Sequence, residues 1–170
     1  MDADGGMRGG LRLRPARPED DAFLRRVYAG TRAEELALVD WTEAQKQAFV
    51  AMQFEAQDRH YRAHFGGARF DVIERDGVAV GRLYVDRTAG EIRVLDISLL
   101  PEHRGAGIGS ALLGALVREA GERGEPITIH VERMNPARRL YERLGFREVG
   151  DEGVYLRLEW RPEAQAKTAS

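Results

Sequence analysis

Cysteine is absent from this chain. Its absence excludes a disulfide framework, a thiol nucleophile and thiolate metal ligands, and no metal is expected. Long apolar runs are missing as well. No stretch approaches the roughly 20 residues that cross a bilayer, so no membrane partner is expected. Charge of one sign does not dominate: 26 Lys and Arg against 28 Asp and Glu leave a formal net charge of -2. The whole surface is therefore no polyanion binder. There is neither a basic run nor an aromatic-basic interleaved strand, so nucleic acid is not an expected partner. The first ten residues hold four glycines and lack the apolar core of a signal peptide, which makes a cytoplasmic location the expectation.

What is present is an ordinary globular composition. The 170 residues, 43% hydrophobic and 32% charged, suffice for one compact domain with a sizeable core. That domain is expected over residues 11–160. Flexible tails are expected at residues 1–10, which are glycine-rich, and at 161–170, which are polar and alanine-rich. No internal repeat is visible.

Periodicity gives the elements. Leu11, Arg12, Leu13 and Arg14 alternate and predict a first strand. Pro15 and Pro18 follow, and Asp20 and Asp21 open a helix to about Tyr28, with Phe23, Leu24 and Val27 on its buried face. Residues 31–39 are ambiguous. Thr42 and Gln45 have capping-box spacing, so a long helix is predicted from there to about His64. Phe49, Met52, Phe54 and Ala56 make it partly amphipathic, and Gly66-Gly67 ends it. The period then becomes two. Strands are predicted at 70–74, 78–85 and 91–100, separated by Asp76-Gly77 and by a turn at 87–90. This meander needs no crossover helix and is antiparallel. A helix over 107–120 turns Ile108, Ala111, Leu112, Ala115 and Leu116 to the sheet. The apolar strand 127–131 follows, and strand–helix–strand order predicts a right-handed parallel crossover. Asn135 and Pro136 open a last helix that stops at Gly145. Residues 146–149 and 154–159 form a closing hairpin, turned through Asp151, Glu152 and Gly153. The fold class is mixed α/β (α+β): a mostly antiparallel sheet of about seven strands with one parallel pair, and about four helices.

Two runs carry chemistry. The first is Arg104, Gly105, Ala106, Gly107, Ile108, Gly109 and Ser110, between a predicted strand and a predicted helix. Glycines let the backbone approach a ligand and adopt unusual dihedrals. The N–H groups of Gly107, Ile108, Gly109 and Ser110 would converge, and unpaired amides with the helix dipole make an anion site. Arg104 adds a planar cationic fork suited to phosphate oxygens, and Ser110 a hydroxyl. The run is not GxGxxG, because Leu112 stands three residues after Gly109. No Lys-Ser or Lys-Thr follows either, so it is not a Walker loop. The alternative is a tight structural turn leading into small helix-packing residues.

The second run extends from Asn135 through Pro136, Ala137, Arg138, Leu140 and Tyr141 to Gly145 and Phe146. Leu140 and Leu144 form its core stripe. Tyr141 falls one position off that stripe, where its hydroxyl reaches an open edge as a general acid for a thiolate, or packs as a satisfied core tyrosine. The two readings stay open.

Together these runs resemble the GCN5-related N-acetyltransferase (GNAT) superfamily. Residues 104–109 match its arginine/glutamine-x-x-glycine-x-glycine signature for acyl-CoA. Residues 135–146 are similar to its second signature, and the element order over 11–160 also fits. The resemblance implies a GNAT-like fold in which the strand before the loop and strand 127–131 splay apart to admit a thioester. It implies acetyl-CoA as cosubstrate, with the Leu99 and Leu100 backbone on the pantetheine arm and the loop on the pyrophosphate. Asn135 would hydrogen-bond the cofactor arm, Arg138 would reach its phosphate end, and Tyr141 would protonate the departing thiolate.

The implied reaction is direct attack of a neutral amine on the thioester, with a backbone amide polarising the carbonyl. An ammonium must first lose a proton, for which Glu91, Asp96 and, through water, Glu132 are the carboxylates at hand. Asp96 stands in a strand otherwise rich in Ile and Leu, where a carboxylate needs partners. By strict alternation it shares a face with Ser98, unless a bulge breaks the parity. The other reading of Asp96 is a solvated or hydrogen-bonded structural aspartate.

The acceptor is expected to be a small-molecule amine or a peptide. Gln53, Gln57 and Tyr61 lie on one helix face and form either an acceptor-recognition row or, as the better-supported reading, a solvated face. His60 and His64 lack the carboxylate pattern of a zinc site. His130, beside the expected gap, is either near the thioester or simply packed. A homodimer through sheet edges or C-terminal strands is a further expectation from the resemblance. The competing function is a catalytically silent acyl-CoA-binding sensor or scaffold, which would keep the loop but lack a usable acid and an acceptor cleft.

Overall fold

The computed structural model describes residues 8–162. Most of the two expected tails, residues 1–7 and 163–170, lies outside the described residues. Arg8–Gly10 forms a short 3-10 turn, and the Gly10 carbonyl accepts from Asp76 N at 3.0 Å. Seven strands form one sheet, mostly antiparallel with one parallel pair, as the patterning predicts. They are β1 (Leu11–Pro15), β2 (Arg69–Arg75), β3 (Val78–Thr88), β4 (Glu91–Leu99), β5 (Ile127–Glu132), β6 (Arg147–Glu152) and β7 (Tyr155–Trp160). Their order in the sheet is β1-β2-β3-β4-β5-β7-β6. The helices are α1 (Asp21–Ala37), α2 (Glu43–His64), α3 (Ile108–Arg123) and α4 (Arg138–Arg143). The chain divides into two compact units, Met1–Tyr84 with Asp96–Ala106, and Val85–Leu95 with Gly107–Ser170.

In the first unit, β1 pairs antiparallel with β2, and Leu24, Tyr28, Val50, Phe54 and Val72 form a buried cluster of helix and strand residues. The β2–β3 turn is the expected Asp76-Gly77, with φ of +51° and +82°. Two consecutive positive φ values make a type I′ turn, whose twist matches that of the strands it joins. α2 starts at the expected capping box. Thr42 Oγ1 accepts from Gln45 N at 3.2 Å, and Gln45 Oε1 accepts from Thr42 N at 2.9 Å. Its inward residues are Val50 and Phe54, whereas Met52 is exposed and Phe49 packs edge-on against Trp41. α1 corrects the expectation more strongly, running nine residues beyond Tyr28 through the ambiguous stretch. Gly30 does not stop it. A Cβ there would lie 3.1 Å from Pro101 Cδ, so this glycine admits a close neighbour inside a continuous helix.

In the second unit, α3 buries Ile108, Leu112, Leu113, Leu116 and Ala120. β4 and β5 form the parallel pair, with a register from Ile92↔Ile127 to Val94↔Ile129. β5 pairs antiparallel with β7 over its whole length. The closing hairpin is longer than expected: β6 continues through Asp151 and Glu152, and its register against β7 shifts between Glu148 and Gly150. That inserted residue displaces the turn to Gly153-Val154. α4 is shorter than expected and begins at Arg138. Asn135 holds a turn just before it, its Oδ1 accepting from Ala137 N at 2.8 Å.

Candidate functional site

β4 loses its burial alternation halfway. Ile92 and Val94 are buried, whereas the residues from Leu95 to Leu99 are all half-buried. Leu100 N donates to Val80 O at 2.9 Å, and Pro101–His103 adds one 3-10 turn. Gly105 and Gly107 then take left-handed φ values of +76° and +81°. The first helical bond of α3 runs from Ala111 N to Gly107 O at 3.0 Å. The amides of Ile108, Gly109 and Ser110 therefore come before the first intrahelical acceptor and are available as donors at the positive end of the helix dipole.

The three glycines of the loop have different reasons. A Cβ on Gly105 or Gly107 would meet nothing within 4 Å, so backbone conformation, not crowding, demands glycine there. Gly109 has no such φ, but its Cβ would touch Leu140 Cδ2 at 3.4 Å, so it serves helix packing. Arg104 is exposed, and its Nε donates to Leu99 O at 3.2 Å. Both terminal nitrogens of its guanidinium remain for a ligand. Open space over two left-handed glycines, free amides and an exposed cation together suit a pyrophosphate. Among the described residues no group of three or more His, Asp or Glu is placed to hold a metal ion.

Sequence reasoning missed the arrangement that braces the end of β4. Gly81 lies against it so closely that a Cβ would fall 2.2 Å from Ser98 O and 2.8 Å from Leu99 Cδ2. The next residue, Arg82, is 1% exposed. Its Nε donates to Asp96 Oδ1 at 3.2 Å and its Nη2 to Asp96 Oδ2 at 2.9 Å. Nη2 also donates to Gln57 Oε1 of α2 at 2.7 Å, and Ser98 Oγ donates to Asp96 Oδ1 at 2.6 Å. Burial works against the Arg82 charge, but the adjacent Asp96 carboxylate together with Tyr84 and Tyr61 outweighs it and the guanidinium is held protonated. Its carbon lies 4.9 Å from the Tyr84 ring centre and 6.0 Å from that of Tyr28. Burial pushes the Tyr84 phenol up, against the opposing pull of the Arg82 charge beside it. Gln57 thus points inward, and Tyr61 meets the Tyr84 ring edge-on at 5.9 Å, which corrects the solvated-face reading of that row. The available signal was a pair of anomalies: one arginine and one aspartate, each flanked by apolar residues in neighbouring strands of one meander.

The other named residues are placed as follows. Tyr141 is buried, with its ring 5.8 Å from that of Phe146. Asn135 Oδ1 is engaged by Ala137 N, which leaves its side-chain amide to donate. Arg138 donates from Nη1 to Arg133 O at 3.1 Å, and its buried Nε has no partner among the described residues. Glu91 opens β4, at the end away from Leu99, and Thr128 Oγ1 donates to it at 3.4 Å. His130 Nε2 lies 3.3 Å from a Glu152 carboxylate oxygen and its Nδ1 3.5 Å from Arg93 Nη2.

Comparison with known proteins now adds to this geometry. A family model described as an acetyltransferase (GNAT) domain matches residues 66–148. A mycothiol acetyltransferase of Nocardiopsis dassonvillei is 42% identical over 65 residues, 38% of this chain and 20% of that protein. A ribosomal protein bS18 alanine N-acetyltransferase of Haemophilus influenzae is 40% identical over 79 residues, 46% of this chain and 53% of that one. The chain thus spans between a fifth and about half the length of these relatives. The crystal structure of the paiA N-acetyltransferase of Thermoplasma acidophilum in complex with coenzyme A superposes with a TM-score of 0.67 at 18% identity. The match covers 89% of this chain and 98% of that one, and is a likeness of fold.

Proposed function

The chain belongs to the GCN5-related N-acetyltransferase superfamily, and we propose that it moves an acetyl group from acetyl-CoA to a primary amine by direct attack. The observation that carries this reading is the loop from Arg104 into α3, with its two left-handed glycines, free helix-start amides and exposed guanidinium. In this reading the amides from Gly107 to Ser110, together with Arg104, hold the pyrophosphate. The Leu99 and Leu100 backbone receives the pantetheine arm. Arg104 occupies one lone pair of the Leu99 carbonyl, and the second remains for a ligand. The Asn135 amide donates to the same arm and Arg138 serves its phosphate end. Tyr141 gives its proton to the departing thiolate.

The acceptor is a small-molecule or peptide amine. The alanine N-acetyltransferase among the relatives supports including peptide α-amines in the search. The test is a thiol-release assay with acetyl-CoA over a panel of amines: amino acids, polyamines and alanine-starting peptides. Thiol release that depends on one amine class is the expected result. Tight CoA binding without turnover on any amine would replace this reading with the silent acyl-CoA-binding module.

A further inference from the structure

A buried charge persists only when it is paired. Arg82 faces Asp96 and Ser98 from β4, Gln57 and Tyr61 from α2, the Tyr28 ring from α1, and Tyr84 on its own strand. Asp58 acts on Tyr84 from α2 but is itself paired with Arg62 at 3.2 Å. Asp96 is the carboxylate that binds Arg82, one anion to one cation, so the pair carries no net charge. The Arg82 side chain is 2% exposed and that of Asp96 is 14% exposed, so the solvent-reaching end of the pair is the carboxylate.

That end is made of hydrogen-bond acceptors. Asp96 Oδ1 is filled by Arg82 Nε and Ser98 Oγ, whereas Oδ2 receives Arg82 Nη2 and keeps a lone pair. Ser98 has one hydroxyl proton and gives it to Asp96, so it offers only lone pairs to anything else. Both residues lie in the half-buried stretch of β4 that leads directly into the phosphate loop. Groups that can only accept recognise a donor of N–H bonds.

We infer that Asp96 and Ser98 receive the N–H groups of the acceptor amine, and that Arg82 is a positioning residue which cancels the Asp96 charge so that the neutral amine is held. This rests on the transferase reading above for its chemistry. An uncompensated carboxylate would stabilise the ammonium and raise the pKa of the bound amine. Only the neutral amine has the lone pair that forms the new N–C bond as the thioester C–S bond breaks. A compensated carboxylate orients the nitrogen without holding its extra proton, which leaves to solvent before attack; the proton shed as the amide forms also goes to solvent, while Tyr141 protonates the thiolate. Asp96 therefore orients the amine and is not the general base.

The test uses the full chain and alaninamide, whose amine titrates near the ordinary α-amino range. The pH profile of kcat reports the amine pKa within the enzyme–substrate complex. Arg82→Met should move its inflection up by about one pH unit, and Asp96→Asn, which leaves Arg82 unopposed, down by about one unit. Arg82→Met/Asp96→Asn should return it to the wild-type position, and if Arg82→Met alone fails to fold, the downward shift of Asp96→Asn and its reversal in this neutral pair carry the test. Calorimetry at pH 6.5 should show alaninamide binding about tenfold tighter to Arg82→Met than to wild type, the same one-unit effect. Inflections that stay fixed in the variants overturn the inference, as does loss of transfer by Asp96→Asn at every pH, the mark of a general base. Alaninamide binding that follows this charge pattern across the variants, with no thiol release from any amine of the panel, refutes the transferase reading and leaves the recognition site standing. Thiol release with unmoved inflections does the reverse.

Discussion

Adding one methyl group at Gly81 should damage catalysis from a position that touches no substrate. The Cβ of Gly81→Ala would sit 2.2 Å from Ser98 O, 2.8 Å from Leu99 Cδ2 and 3.1 Å from Leu99 Cα. Ordinary contact between such atoms is about 3.5 Å, so the two strands must part locally by roughly 1 Å. The nearest atom, Ser98 O, is backbone, which cannot rotate out of the way as a flexible side chain would. Overpacking of this kind costs about 1–3 kcal/mol, and at this chain length each kcal/mol lowers the melting temperature by roughly 2–4 °C. The functional effect should be larger, because Ser98, Leu99 and Leu100 carry the groups assigned to amine and pantetheine. A 1 Å misplacement of positioned groups costs on the order of 100-fold in rate. The assay pairs thermal melting with thiol release and CoA calorimetry, with Gly114→Ala as the control. A Cβ at Gly114 meets nothing within 4 Å of the helix's neighbours, so that change should be neutral or stabilising. A Gly81→Ala protein with wild-type turnover and CoA affinity would refute the account of β4 given above.

Three further outcomes follow from the same structure. Tyr141→Phe should slow acetyl transfer by about 100-fold or more while CoA affinity stays near wild type, and unchanged turnover would remove Tyr141 as the acid. Gly107→Ala places a side chain on a φ of +81°, with a cost of about 1–2 kcal/mol, and should weaken CoA binding by roughly tenfold in calorimetry without a packing clash. The Asp20 carboxyl is held down to about 2, first by hydrogen bonds from Arg14 and further by Arg17 N. Its folded pKa lies below the unfolded value, so its stabilisation is complete above about pH 4 and is lost as pH falls through about 2. Asp20→Asn should therefore cost about 1 kcal/mol at neutral pH and clearly less at pH 2, where the native carboxyl is partly protonated, in urea titrations, and a loss equal at both would contradict the assignment.

The parts of this fold that were legible in the sequence are those whose cause is local. Thr42 and Gln45 satisfy each other's backbone within one helical turn, and Asp76-Gly77 sets its own turn through two positive φ values. The glycine loop was legible for the same reason, because its amides and its dihedrals belong to consecutive residues. What was not legible depends on neighbours distant in the chain. Nothing local marks Gly30 or Gly81, because the atoms a Cβ would meet there, on Pro101 and Ser98, belong to residues distant in the chain. Asp96 drew attention as an isolated carboxylate. Its partner Arg82 lies fourteen residues earlier, and a meander brings the two together only once strand register is known.

The contact between Gly109 and Leu140 links two subsites that the sequence presents as separate motifs. Gly109 supplies one of the loop's amides, and Leu140 immediately precedes Tyr141. A Cβ at Gly109 would lie 3.4 Å from Leu140 Cδ2, so a larger side chain there would press on α4 one residue before Tyr141. Exchange of Gly109 for a bulky residue should therefore disturb the loop and the placement of the Tyr141 ring together, and trimming Leu140 in the same protein should relieve the second effect.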